Sequence, residues 1–100
     1  MKTITEKTTK ILNLIIPEGD IDYKVRKILR EDLKRKLVEF QIIDNRFQKK
    51  YGMTLDEFVK RNIVKEKGFS FEVESDYHEW DSAVDAEKTL RAKIKDLSQE

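Results

Sequence analysis

A chain that must stop one helix and start another within a few residues keeps little freedom in how the two meet. Residues 47–58, Phe-Gln-Lys-Lys-Tyr-Gly-Met-Thr-Leu-Asp-Glu-Phe, specify such a joint. Gly52 falls where a long amphipathic pattern ends, and only glycine takes the left-handed C′ conformation there without steric cost. Thr54, with Glu57 three places later, is a capping box that opens a second helix. Met53 and Phe58 stand at N′ and N4, the positions of a hydrophobic staple. The joint specifies architecture and carries no chemistry of its own.

On its N-terminal side, Pro17-Glu18-Gly19-Asp20 is turn chemistry, with Asp20 placed to cap a helix. No glycine or proline then interrupts the chain before Gly52. Val25, Leu29, Leu33, Leu37, Phe40, Ile43, Phe47 and Tyr51 step by three or four, a helical stripe. Such a helix is a rod of roughly 46 Å, long against the ~13 Å radius of gyration of a compact chain of this length. Either it bends near Gln41–Asn45 or it extends into a dimer, and burial of the stripe against a second copy is the expected arrangement. Before the turn, residues 10–16 are β-branched enough for a short strand ending at Pro17. A helical turn is the alternative, since Ile4, Ile11, Leu12 and Ile15 also share a helix face.

On the C-terminal side, Leu55, Phe58, Val59 and Ile63 form the inner face of a helix over about 55–64, which Lys65-Glu66-Lys67-Gly68 ends. Phe69, Phe71 and Val73 alternate with Ser70, Glu72 and Glu74, which predicts a brief extended segment. Ser75 or Asp76 is the expected cap of a final helix reaching about Leu97, with Tyr77, Trp80, Ala83, Val84, Ala86, Leu90, Ile94 and Leu97 on one face. The fold class is mainly α: a long N-terminal helix, a short capped helix and a C-terminal helix, with a possible short N-terminal strand. Residues 1–100 are expected to form a single small helical domain, of which 1–19 are a possible strand or flexible arm and 20–100 are helical.

Composition narrows the chemistry. Apolar residues make up 38% and charged residues 41%, a balance closer to helical or coiled-coil proteins than to a self-sufficient globular core. There is no cysteine, which removes disulfides, thiolate chemistry and the usual structural zinc sites. The most apolar run, Ile11 to Ile16, is far short of the roughly 20 residues that cross a bilayer, and no signal-peptide cleavage pattern opens the chain. A cytoplasmic location is expected. The net charge of +1 conceals an asymmetry: residues 1–67 carry 17 Lys and Arg against 11 Asp and Glu, and residues 68–100 carry 4 against 9. Between Gly68 and Glu87 lie seven acids and no base.

Enzyme chemistry finds little support. His78 is the only histidine, the zincin spacing would need a second histidine where Ser82 stands, and a ferritin-like site would need glutamate where Ser75 stands. Phosphate-cradling glycine loops and nucleophilic triads are absent, and Asp81, Asp85 and Glu87 read as a solvated face. No catalytic residue, metal or cofactor is expected. Two surfaces remain. Lys24, Arg26, Lys27 and Arg30, continued by Lys34, Arg35 and Lys36, form a basic face suited to nucleic-acid phosphates, or an ordinary solvated face. Phe69, Phe71, Tyr77 and Trp80 lie among Glu72, Glu74, Asp76, Glu79 and Asp81. Aromatic anchors in an acidic frame suit docking on a basic protein, with packing of Tyr77 and Trp80 on the chain's own long helix as the alternative.

The joint from Phe47 to Phe58 and the stretch Glu72-x-Glu74-Ser75-Asp76-Tyr77-His78-Glu79-Trp80-Asp81 resemble short prokaryotic proteins, common in archaea, that look like antitoxins of toxin–antitoxin modules. The resemblance spans roughly residues 20–97. It implies a cytoplasmic partner-binding protein encoded beside a toxin, which it neutralises by occupying the toxin's active surface. Taken with the long stripe and the acidic aromatic segment, the expectation is a homodimer that neutralises a basic partner protein, with Phe69, Phe71, Glu74, Asp76, Tyr77, Trp80 and Asp81 as the partner-binding set. Proteins of that appearance often repress their own operon, which would employ the basic face on DNA. The uninterrupted long helix departs from the ribbon-helix-helix pattern such repressors commonly use. A nucleic-acid-binding regulator and a structural helical assembly subunit are the alternative expectations.

Overall fold

The computed structural model describes residues 4–99. It contains five helices: α1 (Glu6–Ile15), α2 (Ile21–Tyr51), α3 (Leu55–Lys60), α4 (Ile63–Glu66) and α5 (Phe71–Ser98). The two long ones, α2 and α5, run antiparallel as a hairpin, and α3 and α4 fill its closed end. The molecule measures 60 × 25 × 23 Å with a radius of gyration of 19.7 Å, so the rod implied by the uninterrupted stripe is present and unbent by any break in α2. No helix among the described residues is long and apolar enough to cross a membrane.

The joint forms as the local chemistry dictates. Gly52 takes φ 67° and ψ 28°, and its N–H closes α2 on the Gln48 carbonyl. At the start of α3, the Thr54 side chain accepts from the Glu57 N–H while the Glu57 side chain accepts from the Thr54 N–H. Met53 packs on the cluster that contains Phe58. The helix expected over 55–64 is divided: Asn62 adopts φ 55° and separates α3 from α4, a conformation that asparagine tolerates better than most residues. Helix α4 ends in a Schellman motif, with the Gly68 N–H on the Lys65 carbonyl and the Phe69 N–H on the Val64 carbonyl, both at 2.9 Å.

Three expectations change. The N-terminal strand is absent: residues 6–15 are helical because Thr5 accepts from the Thr8 N–H as an N-cap, and Leu12 and Ile16, one helical turn apart, are both buried. Pro17 confines Ile16 to an extended conformation and so stops α1 there. The extended segment over 69–74 is also absent. Ser70, not Ser75 or Asp76, caps α5, accepting from the Val73 N–H, and Glu72 and Glu74 complement the positive helix end. The long stripe of α2 turns to α5 of the same chain, which occupies the face expected to seat a second copy.

The core is an aromatic knot at the closed end. Trp80 is fully buried, with ring centroids 5.7 Å from Phe47, 5.8 Å from Tyr51 and 5.3 Å from Phe58. Ile63 and Val73 complete it. The indole N–H donates to Asp44 Oδ1 at 2.8 Å, so the one polar atom of the ring is satisfied inside. Trp80→Ala removes this filling and one of the donors to Asp44, and is expected to lower unfolding free energy by about 3–5 kcal/mol. Trp80→Phe keeps most of the apolar volume and should lose about 1–2 kcal/mol. Denaturant unfolding of both variants measures the difference.

Candidate partner-binding site

The partner-binding residues expected from the sequence separate into three places. Phe69, Phe71, Glu74 and Tyr77 gather at the elbow where α4 turns into α5. Phe69 follows Gly68 into the left-handed region at φ 55°, a costly conformation for a bulky residue. Its ring remains 59% exposed, and that of Phe71 is 87% exposed. Beside them a cavity of about 340 Å³ opens, with Phe58, Val59, Ile63, Val64, Phe69 and Tyr77 as its apolar walls and Asn62, Glu74 and His78 as its polar edge. Glu74 is half-buried and, among the described residues, its carboxylate makes no hydrogen bond or ion pair. Phe58, Val59, Ile63 and Val64 were legible as a helix face, but only the fold shows that part of that face lines an opening.

Asp76 lies one helical step away and is committed elsewhere. It accepts from Lys50 Nζ and from the Tyr51 hydroxyl, each at 2.6 Å, while Glu72 accepts from the same Lys50 at 2.8 Å. The hydrogen bonds that Lys50 donates, to Asp76 first and then to Glu72, raise its pKa. Burial, then the bond to Asp76, pushes the Tyr51 hydroxyl up to about 12. Burial alone would raise the Asp76 carboxyl, but Lys50 and Tyr51 outweigh it and hold it below the usual range. Arg46 reaches Glu79 at 2.8 Å in the same way. The acidic first half of α5 thus lies along Arg46 and Lys50 at the C-terminal end of α2, and the basic cluster of 24–36 takes no part.

Trp80 and Asp81 lie away from the elbow. Trp80 is core, so its ring is unavailable as a docking anchor in this structure. Asp81 is exposed on another side of α5, beside Lys88 and opposite Thr54 and Asp56.

The basic residues are largely engaged inside the chain. Lys24 is 6% exposed and its ammonium donates to Asn13 Oδ1. Arg26 bonds Asp22 at 2.8 Å and donates to the Gln99 carbonyl at 2.7 Å, holding the C-terminal end of α5. Lys27 pairs with Glu18 at 3.3 Å. Arg30 is half-buried, lining a groove with Tyr23, Arg26 and Leu97.

Glu87, expected on a solvated face with Asp81 and Asp85, is instead buried and pairs with the half-buried Asp44, because it continues the inward Val73, Tyr77, Trp80, Val84 face. Asp44 accepts from Trp80 and from Gln48, and those bonds, with one from Glu87, overcome its desolvation and lower its pKa. Glu87 is 4% exposed, and its Oε2 accepts from Arg91 at 3.2 Å. Burial first, then the adjacent Asp44, raises the Glu87 pKa. The two carboxyls are therefore pushed apart, Asp44 downward and Glu87 upward. The available signal was Glu87 on the Val73, Tyr77, Trp80, Val84 face, and Asp44 among the inward positions of α2. Among the described residues, no group of three or more His, Cys, Asp or Glu is placed to hold a metal.

A carboxyl whose pKa is raised by folding stabilises the fold fully below its unfolded value of 4.5 and loses that contribution as pH rises through the folded value. Glu87→Gln removes the titration and puts an amide beside Asp44. The variant is expected to gain about 0.5–1 kcal/mol over the parent near neutral pH, a gain that disappears as pH falls towards 4.5. Denaturant midpoints of the two proteins across that interval measure it, and a constant difference would contradict the assignment.

No protein-family model, curated protein or solved structure matches this chain.

Proposed function

We propose that the chain is a cytoplasmic, non-catalytic, antitoxin-like protein that neutralises a basic partner protein by seating it on the elbow between α4 and α5. One observation carries the reading: Phe69 lines an apolar cavity with its ring exposed and its backbone strained, and two residues on Phe71 is exposed as well. Strain retained in a bulky, solvent-facing residue is characteristic of functional positions. The cavity accepts an apolar side chain of the partner, Phe69 walls it, Phe71 adds an exposed ring at the same elbow, and the unpaired Glu74 meets a cation beside it. The acids of α5 steer a basic surface to this end of the molecule, while the rings supply most of the affinity.

The resemblance of the joint and the acidic stretch to antitoxin-like proteins supports the same reading. The nucleic-acid alternative draws less support, because Lys24, Arg26 and Lys27 already hold partners within the chain.

Co-expression with the product of the adjacent reading frame tests the proposal. The neighbour is expected to arrest growth alone, and this chain to restore growth and co-purify with it. Phe71→Ser should change stability by no more than about 0.5 kcal/mol, as for an exposed position, and weaken the complex at least about tenfold. Phe69→Asn, which suits the left-handed backbone, should fold equally well and bind less. A harmless neighbour that does not co-purify would overturn the reading, as would a complex indifferent to both substitutions.

A further inference from the structure

The face of α2 turned away from α5 repeats its own pattern. Ile28, Glu31, Arg35, Val38 and Ile42 alternate steps of three and four, the spacing of a coiled-coil seam. All five are exposed, with Ile28 at 41%, Val38 at 52% and Ile42 at 62%. At the N-terminal end of this seam, Ile15 and Ile16 form a groove with Ile28, Glu31 and Arg35, a space of about 390 Å³. Within that groove Ile15 is 63% exposed. Exposed apolar residues repeated along one helix face, rimmed by polar ones, mark an interaction surface.

The polar centre of the seam selects what covers it. We infer that a second copy of this chain docks here, its α2 crossing antiparallel about a two-fold axis near residue 33. In that arrangement residue 31 of each copy opposes residue 35 of the other, so two Glu31–Arg35 pairs form across the axis. A two-fold interface requires such self-complementarity. The same symmetry sets residue 38 of each copy against residue 28 of the other, delivering Val38 to the groove of Ile15 and Ile28. Parallel packing would place glutamate on glutamate and arginine on arginine. The local bonds of Arg35 to Asp32 and of Glu31 to Lys34 are exposed helical pairs that yield readily. This dimer face is separate from the stripe that α5 covers and from the elbow, so both copies keep the elbow free.

Sedimentation equilibrium of the full chain tests the arrangement, with circular dichroism confirming helicity of every variant. The parent protein is expected to show a reversible monomer–dimer equilibrium that Ile42→Ser weakens. Glu31→Arg and Arg35→Glu should each raise the dissociation constant at least about tenfold by setting like charges across the axis. The double variant, which restores opposite pairing in reversed order, should return to within about threefold of the parent. A parent that stays monomeric at ~0.5 mM, well above the range of specific association, would overturn the inference. So would single reversals without effect, or a double reversal that recovers nothing.

Discussion

The structure depends on the burial of Trp80 between α2 and α5. An indole can be fully enclosed only where its ring finds apolar contacts and its N–H finds an acceptor at once. Phe47, Tyr51 and Phe58 supply the first and Asp44 the second. Meeting both demands fixes the register of the hairpin, and the neighbouring pairs follow: Arg46 with Glu79, and Lys50 with Asp76. At the far end of the same register, Arg26 reaches the terminal carbonyls of α5. These ion pairs are mostly exposed and contribute little stability individually. Their consistent direction excludes alternative registers of two long helices, and the buried ring supplies the energy.

Two consequences follow from that register. Asp44 is carried inward with the indole, which places a carboxylate next to Glu87 and, with burial, raises the Glu87 pKa. The chain between Gly52 and Ser70 must also cross from one long helix to the other in little space. It does so with left-handed residues at Gly52, Asn62, Gly68 and Phe69. The last of these is the unusual one, because its conformation turns an aromatic ring outward next to an opening in the core. The core and the proposed docking site are thus two sides of one packing solution.

What could be read from the sequence was local. The Gly52 stop, the Thr54–Glu57 box and the Asp20 cap are decided by neighbours within four residues, and all three form. The strand expected over 10–16 failed because β-branched propensity was weighed above the threonine cap and the Leu12–Ile16 step, which decide in favour of a helix. The alternation from Phe69 to Glu74 misled similarly. Val73 belongs to a three-and-four spacing with Tyr77, Trp80 and Val84, and that longer pattern prevails. Trp80 was read with equal weight as anchor or core, since an aromatic among acids looks alike in both roles until its partners are known. Asp44 and Glu87 are 43 positions apart in the chain, and no local signal brings them together.

Hydrogen exchange of the free protein, followed residue by residue, tests most directly whether one aromatic knot holds a hairpin whose elbow stays open. Backbone amides open in cooperative units whose protection tracks burial and packing. The slowest exchange should fall in 44–51 and 73–84, the segments that meet around Trp80, and residues 66–71 should exchange quickly. Protection as strong at Phe69 and Phe71 as at Trp80 would contradict an open elbow. Fast exchange across 73–84 would show that the knot does not hold the hairpin.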